Sequence, residues 1–222
     1  MSRAYLYEED DWQIDDSSSG SGCLPVFAFF FIACLLAVFS LNTTVPISAA
    51  PQKTSGKLSP IFTPEVQYWA DDIVRWANAS SLDPNLAAVV MQIESCGDPS
   101  ARSGAGAMGL FQVMPFHFQA GENPYNPNTN ALRGLNYLSR SLDASNGNAR
   151  LALAGYNGGI GVVSRSESTW HAQTQRYVYF GAPIYEDAKS GAATSSALDE
   201  WYRKYGAGLC RQASQRLGLK PQ

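Results

Sequence analysis

The sequence predicts a mainly α-helical domain that follows an acidic tail and one long apolar segment. Three observations carry this reading. Beyond residue 60, apolar side chains recur at helical spacing in a succession of segments. Two of those segments open on a capping residue followed by proline, Thr63-Pro64 and Asp83-Pro84, a pairing that favours helix starts. Ahead of them lie an almost wholly apolar run, Leu24 to Leu41, and a first stretch of 22 residues with six acids against one base, Arg3. A chain of 222 residues has room for one domain with such appendages.

Residues 1–22 end in Ser17-Ser18-Ser19-Gly20-Ser21-Gly22 and have the composition of a disordered acidic tail. The apolar segment, placed at 23–41, carries no charge over its 18 residues from Leu24 to Leu41, which is just enough to span a membrane. A retained anchor is the leading expectation. A cleaved secretory signal is the rival, with Ser48-Ala49-Ala50 as cleavage site; the acidic flank and Pro51 speak against it. Lipidation at Cys34 is a third reading. The Lys and Arg count weakly favours the opposite orientation, with Arg3 before the span and Lys53 and Lys57 after it. Residues 42–60 are rich in Ser, Thr and Pro and read as a linker, so the folded domain is expected at 61–222, with a helical extension from about 190.

Within the domain, Val66, Trp69, Ala70, Ile73 and Ala77 form the stripe of a first helix, with Trp69 and Trp76 expected as core and rim packing. The second helix carries Leu86, Val89, Val90 and Ile93 and stops before Gly97 and Pro99. Phe116, His117 and Phe118 make a short apolar piece, and Glu122 to Asn130 is a turn-rich loop. Asn128 is expected to cap a helix with Ala131, Leu132, Leu135, Leu138 and Leu142 on one side, and its mid-helix Gly134 implies close packing against a neighbour. Asn148 opens another helix that ends at Asn157-Gly158-Gly159. His171 to Ala188 reads as a helix interrupted at Gly181-Ala182-Pro183, and Ser196 opens a last one.

From Pro51 onward the chain has 15 basic and 13 acidic residues, so it offers no nucleic-acid footprint. There is no glycine-rich phosphate loop. His117 and His171 are the only histidines and have no partners at ligand spacing, which argues against a zinc site. No cofactor is implied.

The chemistry gathers around Glu94. It sits at the C-terminal end of an apolar helix, where the helix dipole and apolar surroundings both disfavour a carboxylate. Both raise its pKa, which suits a general acid at neutral pH. The run that follows is rich in Ser, Ala and Gly and lets a backbone or ligand approach closely.

Glu94-Ser95 followed by Gly106-Ala107-Met108-Gly109-Leu110-Phe111-Gln112-Val113-Met114-Pro115 resembles the signature of the soluble-lytic-transglycosylase-like domain of the lysozyme superfamily. Ser103 and Met114 stand at matching spacings from Glu94. Ala154-Gly155-Tyr156-Asn157-Gly158-Gly159 resembles the family's Ala-Tyr-Asn-x-Gly motif, and Gln173-Thr174-Gln175-Arg176-Tyr177-Val178 its Glu-Thr-x-x-Tyr-Val motif. Three motifs in order, over about residues 63–190, are far more specific than any one of them.

The resemblance implies a lysozyme-like helical fold and a murein lytic transglycosylase. Glu94 would protonate the glycosidic oxygen between N-acetylmuramic acid and N-acetylglucosamine. The same group would then deprotonate the C6 hydroxyl and close a 1,6-anhydro ring. Ser103 would bind the N-acetyl group, Gln112 and Met114 would line the cleft, and Tyr156, Asn157 and Tyr177 would orient Glu94 or the sugar. Gly155 and Gln173 are counted with these substrate-binding residues but depart from the family, which prefers Ala and Glu there. A hydrolytic muramidase and a catalytically silent peptidoglycan-binding module are the other readings. The substrate implies a domain outside the cytoplasm. In an exported domain Cys96 and Cys210 favour a disulfide, while a Cys96 nucleophile lacks a histidine at any motif.

Overall fold

A computed structural model of the chain describes residues 57–220. The acidic tail, the apolar segment 24–41 and most of the linker lie outside the described residues. No helix among the described residues is long and apolar enough to cross a membrane.

The described residues are mainly helical: α1 Pro64–Gln67, α2 Ala70–Ala79, α3 Pro84–Glu94, α4 Pro127–Ala144, α5 Ala149–Gly158, α6 Ala172–Ser190, α7 Ser196–Trp201 and α8 Ala207–Leu217. A π-helical turn over Tyr202–Gly206 joins α7 to α8, and short 3₁₀ turns cover Pro115–His117, Ile160–Ser164 and Glu167–Thr169. Extended structure is limited to isolated antiparallel bridges, Arg102 with Met108 and Met108 with Val113.

Helix α3 is the axis of the core. Asp83 accepts from the Asn85 amide and Pro84 fills N1, where its missing N–H costs nothing. Leu86, Ala87, Ala88, Val89, Val90 and Met91 are then buried, with both α2 and α6 packed against the helix. Each large aliphatic side chain removed from water here contributes about 1.5–3 kcal/mol. Helix α5 lies between α4 and α6. A Cβ on Gly181 of α6 would come 3.2 Å from Leu153 on α5 and 3.3 Å from Ile93 on α3, so a bare backbone lets three helices meet.

The structure redraws several helix boundaries. The first helix is broken in two at Trp69, whose φ of −96° and ψ of 12° leave the helical basin. At this break its indole N–H donates to the Gly97 carbonyl at 2.9 Å, which ties the start of α2 to the turn after α3. Asn126, not Asn128, caps α4: Pro127 occupies N1, and the Asn126 carbonyl oxygen accepts from the amides of Asn128 and Thr129. Asn128 accepts from the buried Trp76 indole at 2.8 Å. Leu132 faces solvent rather than joining the stripe with Leu135 and Leu138. Helix α6 runs unbroken through Pro183. The carbonyl that Pro183 leaves without a partner belongs to Tyr179, and both residues are exposed, where water can satisfy it.

The C-terminal segment returns to the end of α3. Cys210 on α8 is bonded to Cys96, with Cα atoms 5.0 Å apart, an ordinary spacing for a disulfide. Arg216 and Gln212 of α8 each donate at 3.0 Å to the fully buried Asp98. Ser214 donates to the buried Glu65 carboxylate on α1.

Candidate active site

Glu94 is the last residue of α3, and the chain turns sharply after it. Ser95 leaves the helix, and Cys96 takes a left-handed conformation with φ +51°, unusual for a residue with a side chain. Ser95 fixes this turn from inside: its hydroxyl donates to the Leu110 carbonyl at 2.7 Å and accepts from the Gly97 amide at 3.1 Å. The Glu94 carboxyl is therefore held at a helix end that leads into the small-residue loop. The residue keeps only a partial opening to solvent. Burial pushes its pKa from the ordinary 4.5 up to about 8, and a hydrogen bond from Tyr177 pulls part of the way back. At neutral pH the group is a protonated acid.

The loop that follows Glu94 in sequence is pinned at several points. Ser103 and Ala107 exchange bonds: each bond is 2.9 Å, from the Ser103 amide to the Ala107 carbonyl and from the Ala107 amide to the Ser103 hydroxyl oxygen. The Ser103 hydroxyl proton stays available to a ligand acceptor. Met108 and Val113 pair reciprocally at 3.0 Å. Between them Gln112 sits at φ +45°, uncommon for a residue with a side chain, and its side-chain amide donates to the Gly109 carbonyl at 3.0 Å. Met114 follows half-buried, at the entry to the 3₁₀ turn.

The second and third motifs close the other side. Tyr156 on α5 donates to the Phe111 carbonyl at 2.6 Å. Its own pKa is raised well above 10, first by burial and then by the nearby Glu94 charge, so the phenol stays neutral. Asn157 accepts from the Thr174 hydroxyl at 3.0 Å, which ties the end of α5 to the first turn of α6. Tyr177, buried one turn further along α6, reaches Glu94. Gln173 is exposed at the start of α6, one turn before Tyr177 on the same face, and so stands at the mouth of the site rather than against the carboxyl.

Gly155 is packed closely on its neighbours. A Cβ there would lie 2.2 Å from the Ser141 hydroxyl oxygen and 2.9 Å from Val163, so this position serves the packing of α5 on α4. Gly134 has a stronger link to the site. A Cβ on it would sit 2.6 Å from the Phe111 Cβ and 3.2 Å from the Tyr156 hydroxyl. The sequence also hides Asn130. Fully buried on α4, it accepts from the Phe111 amide at 2.8 Å and donates to the Met108 and Pro124 carbonyls at 2.7 and 2.9 Å. A polar residue beside the apolar Ala131 and ahead of Leu135 is the one signal that could have shown it.

The other acids near the motifs are already engaged. Glu122 is paired with Arg133, whose hydrogen bond holds its pKa below the usual range, and Glu167 is paired with Arg150 to the same effect. Asp98 faces Arg216 and Gln212. Glu65 lies beside Cys96 and Cys210, but the sulfurs of that cluster are spent on the disulfide. Glu94 differs from all of these in having a neutral phenol as its partner.

This arrangement, a buried helix-end carboxyl with Tyr177 and Tyr156 beside it, accords with what the sequence matches. Residues 72–178 match the family model described as the transglycosylase SLT domain. The chain is 37% identical over 115 residues to a protein named transglycosylase from Enterobacteria phage PRD1, covering 50% of this chain and 40% of that one. Among solved structures, it resembles an inactive mutant of the lytic transglycosylase Slt from Pseudomonas aeruginosa. The TM-score is 0.45 and the identity 28%, over 54% of this chain and 24% of that one. It also resembles the 70 kDa soluble lytic transglycosylase of Escherichia coli, with TM-score 0.39 and 22% identity, over 68% of this chain and 25% of that one. Over residues 72–178, a little under half of its length, the chain is thus similar to the transglycosylase SLT domain. It spans about 40% of the length of the curated phage relative.

Proposed function

We propose that this domain is a peptidoglycan lytic transglycosylase that works with a single catalytic carboxyl. The observation that carries the reading is Glu94. It is the acid at the end of α3 with a pKa of about 8, while Asp98, Glu122 and Glu167 are each tied to an arginine. The phage relative's name points to the same chemistry.

In the proposed reaction the protonated Glu94 gives its proton to the glycosidic oxygen as the bond to C1 of N-acetylmuramic acid breaks. The resulting carboxylate takes the proton of the C6 hydroxyl as that oxygen bonds to C1. The proton count on Glu94 returns to its starting value and no water is consumed. An internal nucleophile suits a one-carboxyl site, because its high effective concentration replaces activation by a second base. Tyr177 donates to Glu94 and would hold it in place during the second step. Ser103 is set to donate to an N-acetyl oxygen, and Gln112 and Met114 to line the same side. Tyr156, committed to Phe111, would shape the wall, and Asn157 would hold α5 to α6 behind it.

The disulfide supports a domain that acts in an oxidising compartment. We place it outside the cytoplasm, tethered through residues 24–41, and N-terminal sequencing of the membrane fraction tests that tether. Mass spectrometry of digested peptidoglycan tests the reaction. Muropeptides ending in 1,6-anhydro-N-acetylmuramic acid are expected. Reducing ends alone would establish hydrolysis, and intact strands would establish a binding module.

A further inference from the structure

An unbroken row of rings leads from the Glu94 site out to solvent. Tyr156, within electrostatic reach of Glu94, packs edge-on to Tyr137 with ring centroids 5.8 Å apart. Tyr137 is followed by His117 at 4.9 Å, and His117 by Phe116 at 4.4 Å. Phe116 is 75% exposed, the most exposed of the large apolar residues described. A single exposed phenylalanine needs no explanation. One that ends a continuous aromatic row beginning at a catalytic carboxyl is a different matter. The row is also built rather than incidental. Phe116 and His117 sit on a 3₁₀ turn started by Pro115, immediately after the cleft residue Met114. Arg140 lies over the Tyr137 ring at 5.3 Å and is in no ion pair among the described residues.

We propose that Phe116, His117 and Tyr137 form a saccharide-binding platform that extends the Glu94 cleft and takes the C–H face of a pyranose ring of the glycan strand. The inference rests on the transglycosylase reading for the identity of the strand. The chemistry is specific to such a ligand. The faces of aromatic rings carry negative quadrupole charge. The C–H bonds of a pyranose, polarised by the ring and hydroxyl oxygens, present positive charge to them. Burial and the Arg140 charge both lower the His117 pKa, which favours the uncharged imidazole, a form that can be covered without desolvating an ion. A glycan strand extends away from the scissile bond, and the row supplies a surface continuous with the cleft. Phe116 and His117 are therefore binding residues that set affinity for longer strands.

The test uses the full chain carrying Glu94→Gln, so that binding is read without turnover. Retention on insoluble peptidoglycan is measured with and without Phe116→Ala and His117→Ala, with chitin tetrasaccharide and free stem peptide as competitors. Phe116→Ala is expected to weaken binding about tenfold, equivalent to about 1.4 kcal/mol. Phe116→Trp should restore it, and chitin tetrasaccharide should compete. Tyr179→Ala is the control. Tyr179 is 61% exposed, but it lies two residues beyond Tyr177 on α6 and so on another face. Parent-like binding by Phe116→Ala with an unchanged melting curve would overturn the platform. So would competition by the stem peptide alone, or an equal loss in Tyr179→Ala. The wild-type digest is run in parallel. If it yields no anhydro products while Phe116-dependent, chitin-competed retention persists, the reaction assignment fails and the platform stands. Anhydro products together with Phe116-independent binding leave the reaction standing and sink the platform.

Discussion

Replacing Glu94 with glutamine separates two consequences of one buried proton. The side chain keeps its size, and its amide oxygen can still accept from Tyr177. What disappears is the titration. In wild type the native state holds the proton up to about pH 8, whereas the unfolded chain releases it near the ordinary 4.5. Between those values the unfolded state is ionised and the native state is not. Wild-type stability therefore falls as pH rises through the window and levels off above about 8. Each pH unit within it costs about 1.36 kcal/mol, so near pH 7 the cost is about 3 kcal/mol. Glu94→Gln escapes this cost. Its stability relative to wild type should be constant below pH 4.5 and should climb by about 3 kcal/mol between there and pH 7. In a domain of this size that is a gain of roughly 6–12 °C in melting temperature. Catalysis moves the other way. In the proposed reaction both proton transfers use the same group, so turbidity clearance of peptidoglycan should drop by about 10⁴-fold, the upper end of what loss of a general acid–base costs. Thermal melts of both proteins from pH 4 to pH 9, with clearance at each pH, make the test. Melting curves that stay parallel across the window would show that the fold does not hold the Glu94 proton. Near-wild-type clearance would remove Glu94 from the mechanism.

Other changes have separable signatures. Tyr177→Phe removes the hydrogen bond that lowers the Glu94 pKa, so the alkaline limb of kcat/KM should move to higher pH while activity falls; an unmoved limb would refute the contact. Gly134→Ala forces a Cβ into Phe111 and toward Tyr156, and should cost about 1–3 kcal/mol by urea unfolding together with a loss of clearance. Cys210→Ser opens a loop with a sequence separation of 114, and a loss of about 2–5 kcal/mol is expected by urea unfolding, with wild-type stability as the refuting result. Glu122→Gln and Glu167→Gln break ion pairs at or near the surface and should leave clearance within a few-fold of wild type; a collapse in either would reveal a second working carboxyl.

The sequence made the site legible where one residue's neighbours decide its role. Glu94 could be placed because Asp83-Pro84 starts a helix and Gly97-Pro99 ends it, and the apolar stripe between them foretells burial. Gly134 could be singled out because a glycine inside a helix implies a close neighbour. Elsewhere the deciding partner was distant in sequence. Nothing near Trp69 says that its indole will bond to Gly97 where the helix breaks. Nothing near Asn128 says that Trp76 will claim its side chain and leave the cap to Asn126. Gly155 lies inside a catalytic-looking motif, yet the atoms that fill its space come from Ser141 and Val163 on other segments. Pro183 reads as a helix stop, and only the exposure of Tyr179 shows that the broken bond faces water.

The C-terminal segment shows why the end of α3 can serve as a fixed acid. A helix end is ordinarily the loosest part of a helix, since its last carbonyls have no partners within it. A group that must give a proton to one oxygen and take it from another has to stay within hydrogen-bond reach of both. Here the four residues after Glu94 are held from several directions at once. Ser95 is bonded to Leu110, Cys96 to Cys210 through sulfur, and Asp98 to Arg216 and Gln212, while Gly97 accepts from Trp69. Three of those ties come from α8, more than 110 residues away in sequence. The cost of closing so long a loop grows only slowly with its length, so a distant segment can brace the site almost as readily as a near one. The brace acts on the backbone beyond Glu94 and leaves the side chain to Tyr177 and the cleft. That division lets the turn after α3 stay rigid while the carboxyl serves the two successive oxygens of the proposed reaction.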